Sequence, residues 1–268
     1  MTERRDQTGP DVPSAEAAGG APAVSVVVPA RDDAVHLARC LRLLAAQTRP
    51  PDEIVVVDNA SSDDTADVAR AAGARVVFEP VRGIPPAAAA GYDAARGDVV
   101  VRCDADSLPG PEWIAGLLAA LASRPDVVAV AGPGRFRGLP PGVDRLLSSL
   151  YVGLYVLTTA AALAHPPLFG TNMAMRRSWW LEVRDRVHRD DPELHDDFDL
   201  SFRLDPAHRI LFRPGLSVGM SPRALRGGRP AVRRLARAFR TIRLNWADER
   251  PWERWQARLG HRLRGGGA

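Results

Sequence analysis

Four short apolar runs, separated by segments with helical spacing, follow one another in the first part of the chain. The runs are rich in valine, and a proline or an acidic residue follows each of them: 24–28, 53–57, 75–78 and 98–103. Strands that alternate with helices in this way predict βαβ units and a largely parallel sheet. Near-continuous valine runs are typical of strands that helices cover on both faces. The sequence therefore predicts an α/β fold in which a mostly parallel sheet is flanked by helices.

The segments between these runs carry ordinary helix signals. Leucines recur at helical spacing in the first of them, and prolines suit the first turn of the third. We predict helices over 34–46, over 63–72 and from Pro85 to near Gly97. After Pro109 the alternation loosens, and we predict a helix at 112–122, a strand at 127–131 and a loop rich in glycine and proline up to Gly142.

Charge is distributed unevenly along the 268 residues, although the net charge is only +4. All 36 basic residues are arginine, and residues 1–220 hold 23 of them against 29 acidic residues, whereas 221–268 hold 13 against 3. A basic tail of this kind favours an anionic partner, either a membrane surface or nucleic acid.

The tail also has an amphipathic pattern. Val232, Leu235, Phe239 and Ile242 share one face of a predicted helix, with arginines on the rest and tryptophans further along. Because a basic amphipathic helix with tryptophan is typical of a membrane interface, residues 230–262 are predicted to contact an anionic membrane surface. The alternative is that the apolar stripe packs against the rest of the protein. Nucleic-acid binding is not expected, because no zinc or aromatic recognition module accompanies the charge.

Three further features bear on the compartment. Residues 1–22 lack an apolar core and are predicted to be a disordered lead, not a secretory signal. Cys40 and Cys103 lie in apolar segments, which favours buried thiols in a reducing compartment. Residues 146–164 are uncharged but include polar side chains, and they barely reach the roughly 20 residues of a membrane span. We expect this segment to form a buried helix or a helix that lies against lipid. We also expect the protein to be cytoplasmic and to contact the inner face of the membrane peripherally.

Two carboxylates one residue apart, Asp104 and Asp106, directly follow the fourth apolar run. In an open α/β sheet, ligands bind beyond the carboxyl ends of the strands. A carboxylate pair can hold a hard divalent cation, which accepts diphosphate oxygens as further ligands. The alternative for such a pair is a simple turn or a helix cap. In the functional interpretation, it predicts metal-held phosphate chemistry.

Polar groups that suit the same ligand occur at other positions. Asp58 follows the second run and could accept hydrogen bonds from a nucleobase or a ribose, with an Asx turn as the alternative. Gly170 either lets the backbone approach a bulky ligand or marks an ordinary turn. Asp196 and Asp197 open a helical pattern, where the helix dipole alone favours carboxylates. In the functional interpretation, one ionised Asp there is a general base.

Five segments of the chain, in the order in which they occur, resemble family 2 glycosyltransferases of the GT-A fold. The resemblance covers roughly residues 24–213 and rests on five segments: 29–33, 57–65, 104–106, 170–172 and 196–200. It implies a GT-A-type, Rossmann-like domain over 23–220, divided into a nucleotide-binding half (23–107) and an acceptor half (108–220), followed by a helical basic extension (221–268). It also implies inverting transfer of a sugar from a nucleotide-diphosphate sugar of UDP or GDP type to a hydroxyl or lipid-linked acceptor.

The resemblance also implies roles for single residues. The nucleoside pocket would be lined by Pro29, Arg31, Asp33 and Asp58. Asp104 would face the ribose or diphosphate, and Asp106 would hold Mg²⁺ or Mn²⁺, with Asp104 as a second ligand through water. The transferred sugar would be bordered by Gly170, Thr171 and Asn172. Asp197 would be the catalytic base, with Asp196 positioned beside it.

Two departures from the family pattern affect the expected activity. An Arg-Asn pair that often precedes the metal-binding strand is Ala88-Ala89 here, so we expect Arg82 from the preceding loop to take its place at the donor. The Gln-x-x-Arg-Trp motif of processive members does not occur, which predicts transfer of a single sugar, not polymer synthesis.

Other classes of protein fit the sequence less well. A nucleotidyltransferase would show a glycine-rich loop after the first strand, and 29–33 contains no glycine. A dehydrogenase needs Gly-x-Gly-x-x-Gly in the same place. A catalytically idle, membrane-docked protein that binds nucleotide sugars would not need to keep its acidic residues, yet Asp58, Asp104, Asp106 and Asp197 are all present.

Overall fold

The computed structural model describes residues 20–140, 142–225 and 228–265. The disordered lead predicted over 1–22 therefore lies almost entirely outside the described residues. The strands are β1 (Val24–Ala30), β2 (Glu53–Asp58), β3 (Arg75–Phe78), β4 (Val99–Arg102), β5 (Val127–Ala131), β6 (Gly134–Phe136), β7 (Met173–Arg176), β8 (Arg209–Phe212) and β9 (Val218–Met220). The helices are α1 (Ala34–Ala45), α2 (Thr65–Ala71), α3 (Ile84–Ala94), α4 (Trp113–Leu121), α5 (Val143–Leu163), α6 (Arg177–Val183), α7 (Asp196–Ser201), α8 (Arg229–Asp248) and α9 (Pro251–Gly265).

Seven strands form the central sheet, in the order β3-β2-β1-β4-β7-β5-β8. Strand β7 runs antiparallel to β4 and β5, and the other pairs in this sheet are parallel. Helices cover both faces, and two separate apolar cores lie on either side of the sheet. The predicted α/β fold with a mostly parallel sheet and flanking helices is confirmed.

The valine runs form the centre of this sheet because both of their faces are covered. Val26, Val55 and Val101 are fully excluded from solvent, as expected for parallel strands packed between helices. The loop predicted up to Gly142 is wrong in one part, because β6 lies inside it and pairs with β9 in a second, two-stranded sheet. A three-residue strand has too little periodicity to be read from sequence.

The direction of β7 determines which loops meet. The carboxyl ends of β1, β2 and β4 lie at one edge of the sheet because these strands are parallel. Since β7 runs the opposite way, the residues just before it, 170–172, come to the same edge. Three acidic loops and the glycine-containing loop therefore share one end of the sheet, where open α/β folds bind ligands.

The basic C-terminal segment forms α8 and α9, and α8 is fixed to α7 by a polar network. The amide of Asn245 on α8 donates to Asp199 Oδ1 on α7 at 2.8 Å, and His188 donates its backbone N–H to the other carboxylate oxygen at 2.8 Å. Ile242 and Trp246 pack beside Phe198 and Phe202. Part of α8 therefore packs against the rest of the protein, which was the alternative to membrane contact in the sequence analysis.

The predicted apolar stripe of α8 is thus divided between two surroundings. Ile242 contacts the protein, whereas Val232, Leu235 and Phe239 are 68%, 59% and 63% exposed. At Ile242 the structure agrees with the alternative, because this position of α8 faces the Phe198–Phe202 cluster.

The uncharged segment predicted over 146–164 is helix α5, which is long and apolar enough to cross a membrane. It is the one helix that meets this test among the residues that the structure describes. Tyr151 and Tyr155 on one side of α5 pack against the main core, and Leu150 and Leu154 on the other side are exposed. Helix α5 therefore lies along the protein with one face bare.

Candidate active site

The loop before β7 joins two of the predicted acidic residues. The Thr171 hydroxyl donates to Asp104 Oδ2 at 2.6 Å, and the backbone N–H of Gly170 donates to Asp197 Oδ2 at 2.8 Å. The other oxygen of Asp197 accepts the backbone N–H of Phe198 at 2.8 Å. Asp104 at the end of β4 and Asp197 at the start of α7 are therefore held by adjacent residues of one loop, and the sequence prediction that they lie together agrees with this geometry.

A buried arginine lies beneath this loop. The Arg102 side chain is 3% exposed, and its guanidinium pairs with Asp196 and lies 3.6 Å from Asp104 Oδ1. It also donates to the Tyr92 hydroxyl at 3.1 Å. Burial raises the pKa of the Asp104 and Asp196 carboxyls above the usual aspartate range, and the positive charge of Arg102 opposes that rise. Arg102 thus stabilises negative charge on both carboxylates.

Gly170 is needed for the approach of Arg102. A Cβ atom at this position would lie 2.7 Å from the Arg102 guanidinium carbon, which is closer than van der Waals contact allows. One of the two sequence interpretations was that this glycine lets the backbone approach a bulky ligand. The structure shows that the group admitted is the protein's own guanidinium.

A second arginine, which the sequence interpretation did not include, lies between two predicted donor-site carboxylates. Arg223 Nη2 lies 2.8 Å from Asp106 Oδ2 and 3.1 Å from Asp33 Oδ2. Asp33 Oδ1 also accepts from His36 Nδ1 at 2.7 Å. Residues 222–225 form a short 3-10 turn at the beginning of the basic segment. The position between Asp33 and Asp106 is therefore one at which the protein already stabilises a positive charge.

The donor set at this position can be compared with what a divalent cation requires. In the described ranges, no three His, Cys, Asp or Glu side chains come together as a metal site. Asp104 and Asp106 supply two carboxylates on one turn. Ser107 fixes that turn, because its hydroxyl accepts the Asp104 N–H at 3.1 Å and its backbone N–H donates to the Asp104 carbonyl. Mg²⁺ is commonly held by one or two carboxylates together with substrate phosphates. The residues present fit such a cation when a diphosphate completes the ligand set.

The end of β2 forms the neighbouring part of the edge. Asp58 is buried, and its Oδ1 accepts the Ser61 N–H at 3.1 Å, so the turn expected as the alternative is present. Asp58 Oδ2 has no hydrogen-bond partner in the part of the chain that the structure describes. Asn59, which the sequence interpretation did not single out, donates to the carbonyls of Glu79 and Val81 at 3.0 and 2.7 Å. Asn59 thereby fixes the loop that carries Arg82 beside Asp58.

The remaining residues predicted for the donor differ in exposure. Pro29 is half-buried near the end of β1, Arg31 is exposed and lies 3.4 Å from Asp32, and Arg82 is exposed. Ala88 and Ala89 lie buried on α3 and line a mostly apolar cavity that also reaches Asp196. The departure from the family pattern at these two positions thus leaves small side chains, not polar groups, beside Asp196.

The prediction that Asn172 borders the transferred sugar is wrong. Asn172 is fully buried, and its amide nitrogen donates to the carbonyls of Pro133 and Leu216 at 3.1 and 2.6 Å. Its amide oxygen accepts the Trp113 indole N–H at 2.8 Å. Because these bonds occupy the side chain, Asn172 ties β7 to its surroundings and does not face a ligand. Gly170 and Thr171, on the other hand, lie at the acidic edge.

Comparison with known proteins identifies the family. The profile of Glycosyl transferase family 2 matches residues 25–182, more than half of the chain. The protein is a family 2 glycosyltransferase. The match includes the Asp104–Asp106 turn and the Gly170 loop and ends before α7, so Asp196 and Asp197 lie beyond it.

Curated relatives of this glycosyltransferase match over part of its length. An undecaprenyl-phosphate 4-deoxy-4-formamido-L-arabinose transferase from Pseudomonas fluorescens is 34% identical over 122 residues, which cover 42% of this chain and 36% of the relative. An uncharacterised glycosyltransferase from Mycobacterium tuberculosis is 39% identical over 106 residues, which cover 40% of this chain and 47% of the relative. The matched segment thus spans about a third to a half of these relatives.

Solved structures of other glycosyltransferases share the fold. A mannosyltransferase from Pyrobaculum calidifontis, in complex with GDP-Man and Mn²⁺, superposes with a TM-score of 0.59 at 22% identity and covers 93% of this chain and 76% of its own. Glucosyl-3-phosphoglycerate synthase from Mycobacterium tuberculosis, in complex with UDP, has a TM-score of 0.54 at 22% identity and covers 84% of this chain and 80% of its own.

Proposed function

We propose that this glycosyltransferase is metal-dependent and inverting, and that it moves a single sugar from a UDP- or GDP-sugar to a hydroxyl of a glycan or lipid-linked acceptor. One observation carries the proposal: the loop of Gly170 and Thr171 hydrogen-bonds both to Asp104 of the strand-end carboxylate pair and to Asp197 on α7. This shared loop supports the proposal, because transfer from a diphosphate donor requires a carboxylate for the cation and a carboxylate for the proton at one site.

In the proposal, the donor lies along the ends of β1, β2 and β4. The nucleoside and diphosphate contacts come from Pro29, Arg31, Asp33, Asp58, Arg82 and Asp104. Asp106, with Asp104 as a second ligand through water, would hold Mg²⁺ or Mn²⁺, and the bound cation would offset the charge that develops on the departing diphosphate. The Mn²⁺ in the structure of the P. calidifontis mannosyltransferase with GDP-Man supports this part.

Asp197 is proposed as the general base. Its two carboxylate oxygens each accept a backbone N–H, from Gly170 and from Phe198, so the orientation of the carboxylate is fixed. In that orientation Asp197 takes the proton of the acceptor hydroxyl, whose oxygen then attacks the anomeric carbon from the side opposite the leaving diphosphate and inverts its configuration. Asp196 is a positioning residue, because its pair with Arg102 anchors the first turn of α7 beneath the Gly170 loop.

The Gly170→Ala substitution is expected to lower kcat by about 100-fold, because the added methyl displaces the Arg102 guanidinium and small displacements of positioned groups have effects of this size. A steady-state transfer assay measures the change. Gly153→Ala is the matched control, since a Cβ there meets no atom within 4 Å. Equal kcat for both variants would show that the Arg102 contact does not position the site.

The acceptor and the surroundings of the enzyme complete the proposal. The undecaprenyl-phosphate relative acts on a lipid phosphate by its name, which supports a lipid-linked acceptor here. We place the protein in the cytoplasm or peripherally at the inner face of the membrane, with 230–262 against anionic lipid. The division into a donor half (23–107), an acceptor half (108–220) and a basic extension (221–268) is part of the proposal. Arg223 of the extension reaches the donor half, where it contacts Asp33 and Asp106.

One assay tests the proposed function against its rivals. The purified protein is incubated with UDP- and GDP-sugars with and without Mn²⁺, and release of the free nucleotide diphosphate is followed. We expect slow, metal-dependent hydrolysis of one donor class. Donor binding without any hydrolysis would favour the catalytically idle alternative. Release of pyrophosphate from a nucleoside triphosphate and a sugar phosphate would identify a nucleotidyltransferase.

A further inference from the structure

Helix α5 presents a bare apolar stripe to solvent. Its exposed leucines recur at intervals of three or four residues, and their exposed fractions are 61%, 61%, 64% and 71% at Leu146, Leu150, Leu154 and Leu157. At about 1.5 Å per residue the stripe is roughly 17 Å long. Single exposed leucines are ordinary, but an aligned series of this length indicates a surface that binds a membrane or another protein.

The opposite face of α5 is firmly attached to the protein. The Tyr155 hydroxyl donates to the Leu168 carbonyl at 2.8 Å, and the Ser148 hydroxyl accepts the Phe136 N–H at 2.9 Å. A helix with polar contacts of this kind along one side would leave them unsatisfied if it crossed a bilayer. The geometry suits a helix that lies flat in the interface, with its apolar face turned toward lipid.

Helix α9 extends the stripe. The Trp255 indole N–H donates to the Ala161 carbonyl near the end of α5 at 3.0 Å, which joins the two helices. The exposed fractions of Trp252, Trp255, Leu259 and Leu263 are 54%, 44%, 51% and 83%, again at intervals of three or four residues. Tryptophan is enriched where protein meets the headgroup region of a membrane.

Charge indicates what covers this surface. The three exposed apolar side chains of α8 stand on a helix rich in arginine. Three of its arginines, Arg233, Arg237 and Arg240, pair with Glu193 or Asp191. Arg229 and Arg243 of α8 and Arg264 of α9 form no salt bridge with a carboxylate among the residues that the structure describes. Residues 221–268 hold 13 arginines against 3 acidic residues. Two copies of so basic a surface would repel each other, whereas anionic lipid attracts it and receives the apolar side chains.

We propose that the bare faces of α5, α8 and α9 form one docking surface for an anionic lipid bilayer, and that the acceptor reaches Asp197 from that bilayer. We call this set the docking face: Leu146, Leu150, Leu154 and Leu157 of α5, Val232, Leu235 and Phe239 of α8, and Trp252, Trp255, Leu259 and Leu263 of α9. The statement about the acceptor rests on the proposed function, but the docking itself does not.

The docking face is close to the catalytic loop. The Tyr155 ring on the inner side of α5 lies 5.5 Å from the ring of Phe169, the residue that precedes Gly170. A helix with its side chains is about 10 Å across. The proposed base is therefore separated from the lipid surface by roughly one helix, a distance that a headgroup-linked acceptor can bridge.

Vesicle co-sedimentation tests the proposal. The full chain is mixed with vesicles of phosphatidylcholine alone or with 30% phosphatidylglycerol, and the partition coefficient is measured. We expect clear pelleting only with the anionic vesicles. Leu150→Ser combined with Leu154→Ser is expected to lower the partition coefficient by about 100-fold, because each leucine loses its apolar transfer energy. Leu181→Ser on α6, where the leucine is 38% exposed, is the matched control and is expected to change nothing.

Two further measurements separate the possible outcomes. Metal-dependent donor hydrolysis is expected to stay unchanged in both variants. A wild-type protein that pellets with anionic vesicles but lacks hydrolysis would contradict the proposed function and leave the docking proposal intact. Wild-type protein that fails to pellet with anionic vesicles, or a double variant that pellets as well as wild type, would overturn the docking proposal. A dimer on size-exclusion chromatography that the double variant converts to monomer, without vesicle binding, would assign the face to a second copy instead.

Discussion

Asp197→Asn is expected to lower kcat for sugar transfer by about 10²–10⁴-fold, the usual contribution of a positioned general base. The amide cannot take a proton from the acceptor hydroxyl, but it keeps the size of the side chain. Its one oxygen can still accept the Gly170 N–H, while the Phe198 N–H loses its acceptor. The donor contacts proposed at the strand ends are not touched, so the affinity for the nucleotide diphosphate is expected to stay within about twofold. Steady-state transfer kinetics and calorimetric titration of the nucleotide measure the two quantities.

The control for this substitution is Asp185→Asn. Asp185 follows α6, and its side chain is 90% exposed, so the same chemical change there is expected to be silent. Transfer by the Asp197 variant at the wild-type rate would mean that the base is another residue. A large loss of nucleotide affinity in the same variant would instead assign Asp197 to donor binding.

Asp106→Ala is expected to have the other large effect, lowering both donor affinity and kcat. Removal of this carboxylate takes away the proposed metal ligand and frees Arg223, which then pairs with Asp33 alone. A bound metal contributes several kcal/mol to stabilising the departing diphosphate, which corresponds to a loss of about 10³-fold in kcat. Turnover measured over a range of Mn²⁺ concentrations should show that added metal does not restore wild-type activity.

Asp67→Ala is the matched control for this effect. Asp67 pairs with Arg70 on the surface of α2, and its side chain is 79% exposed, so its removal is expected to change activity less than twofold. Full activity of the Asp106 variant at saturating Mn²⁺ would show that the cation is not held at this position. Activity that is independent of metal in the wild-type protein would contradict the role more broadly.

The parts of the fold that could be predicted from sequence are those with a strong local pattern. Strands β1, β2 and β4 are short valine runs that lie between turn signals, so their positions follow from their length, their β-branched composition and the residues that flank them. Strand β7 reads Met-Ala-Met-Arg, which has no β-branched residue, and its antiparallel placement between β4 and β5 depends on tertiary packing. The sequence pattern therefore predicts the strands of the first half of the sheet but not β7, which runs in the opposite direction.

The site shows the same division. The carboxylates at 104, 106 and 197 could be predicted to share one edge because each follows or opens a recognisable element. Arg102 could have been noticed, because an arginine in a buried strand needs a buried partner. Arg223 could not, because it lies 117 residues from Asp106 along the chain and pairs with it only through the path of the C-terminal segment. Asn172 was misassigned because a motif position does not show whether a side chain faces the ligand or the interior.

The most direct test of the central claim is the anomalous diffraction signal of Mn²⁺ in crystals grown with the metal and UDP or GDP. The account predicts one strong peak within coordination distance of an Asp106 carboxylate oxygen and of two diphosphate oxygens, with Arg223 moved away from that carboxylate. A nucleotide diphosphate bound at the strand ends with no such peak, or a peak coordinated by other side chains, would contradict it.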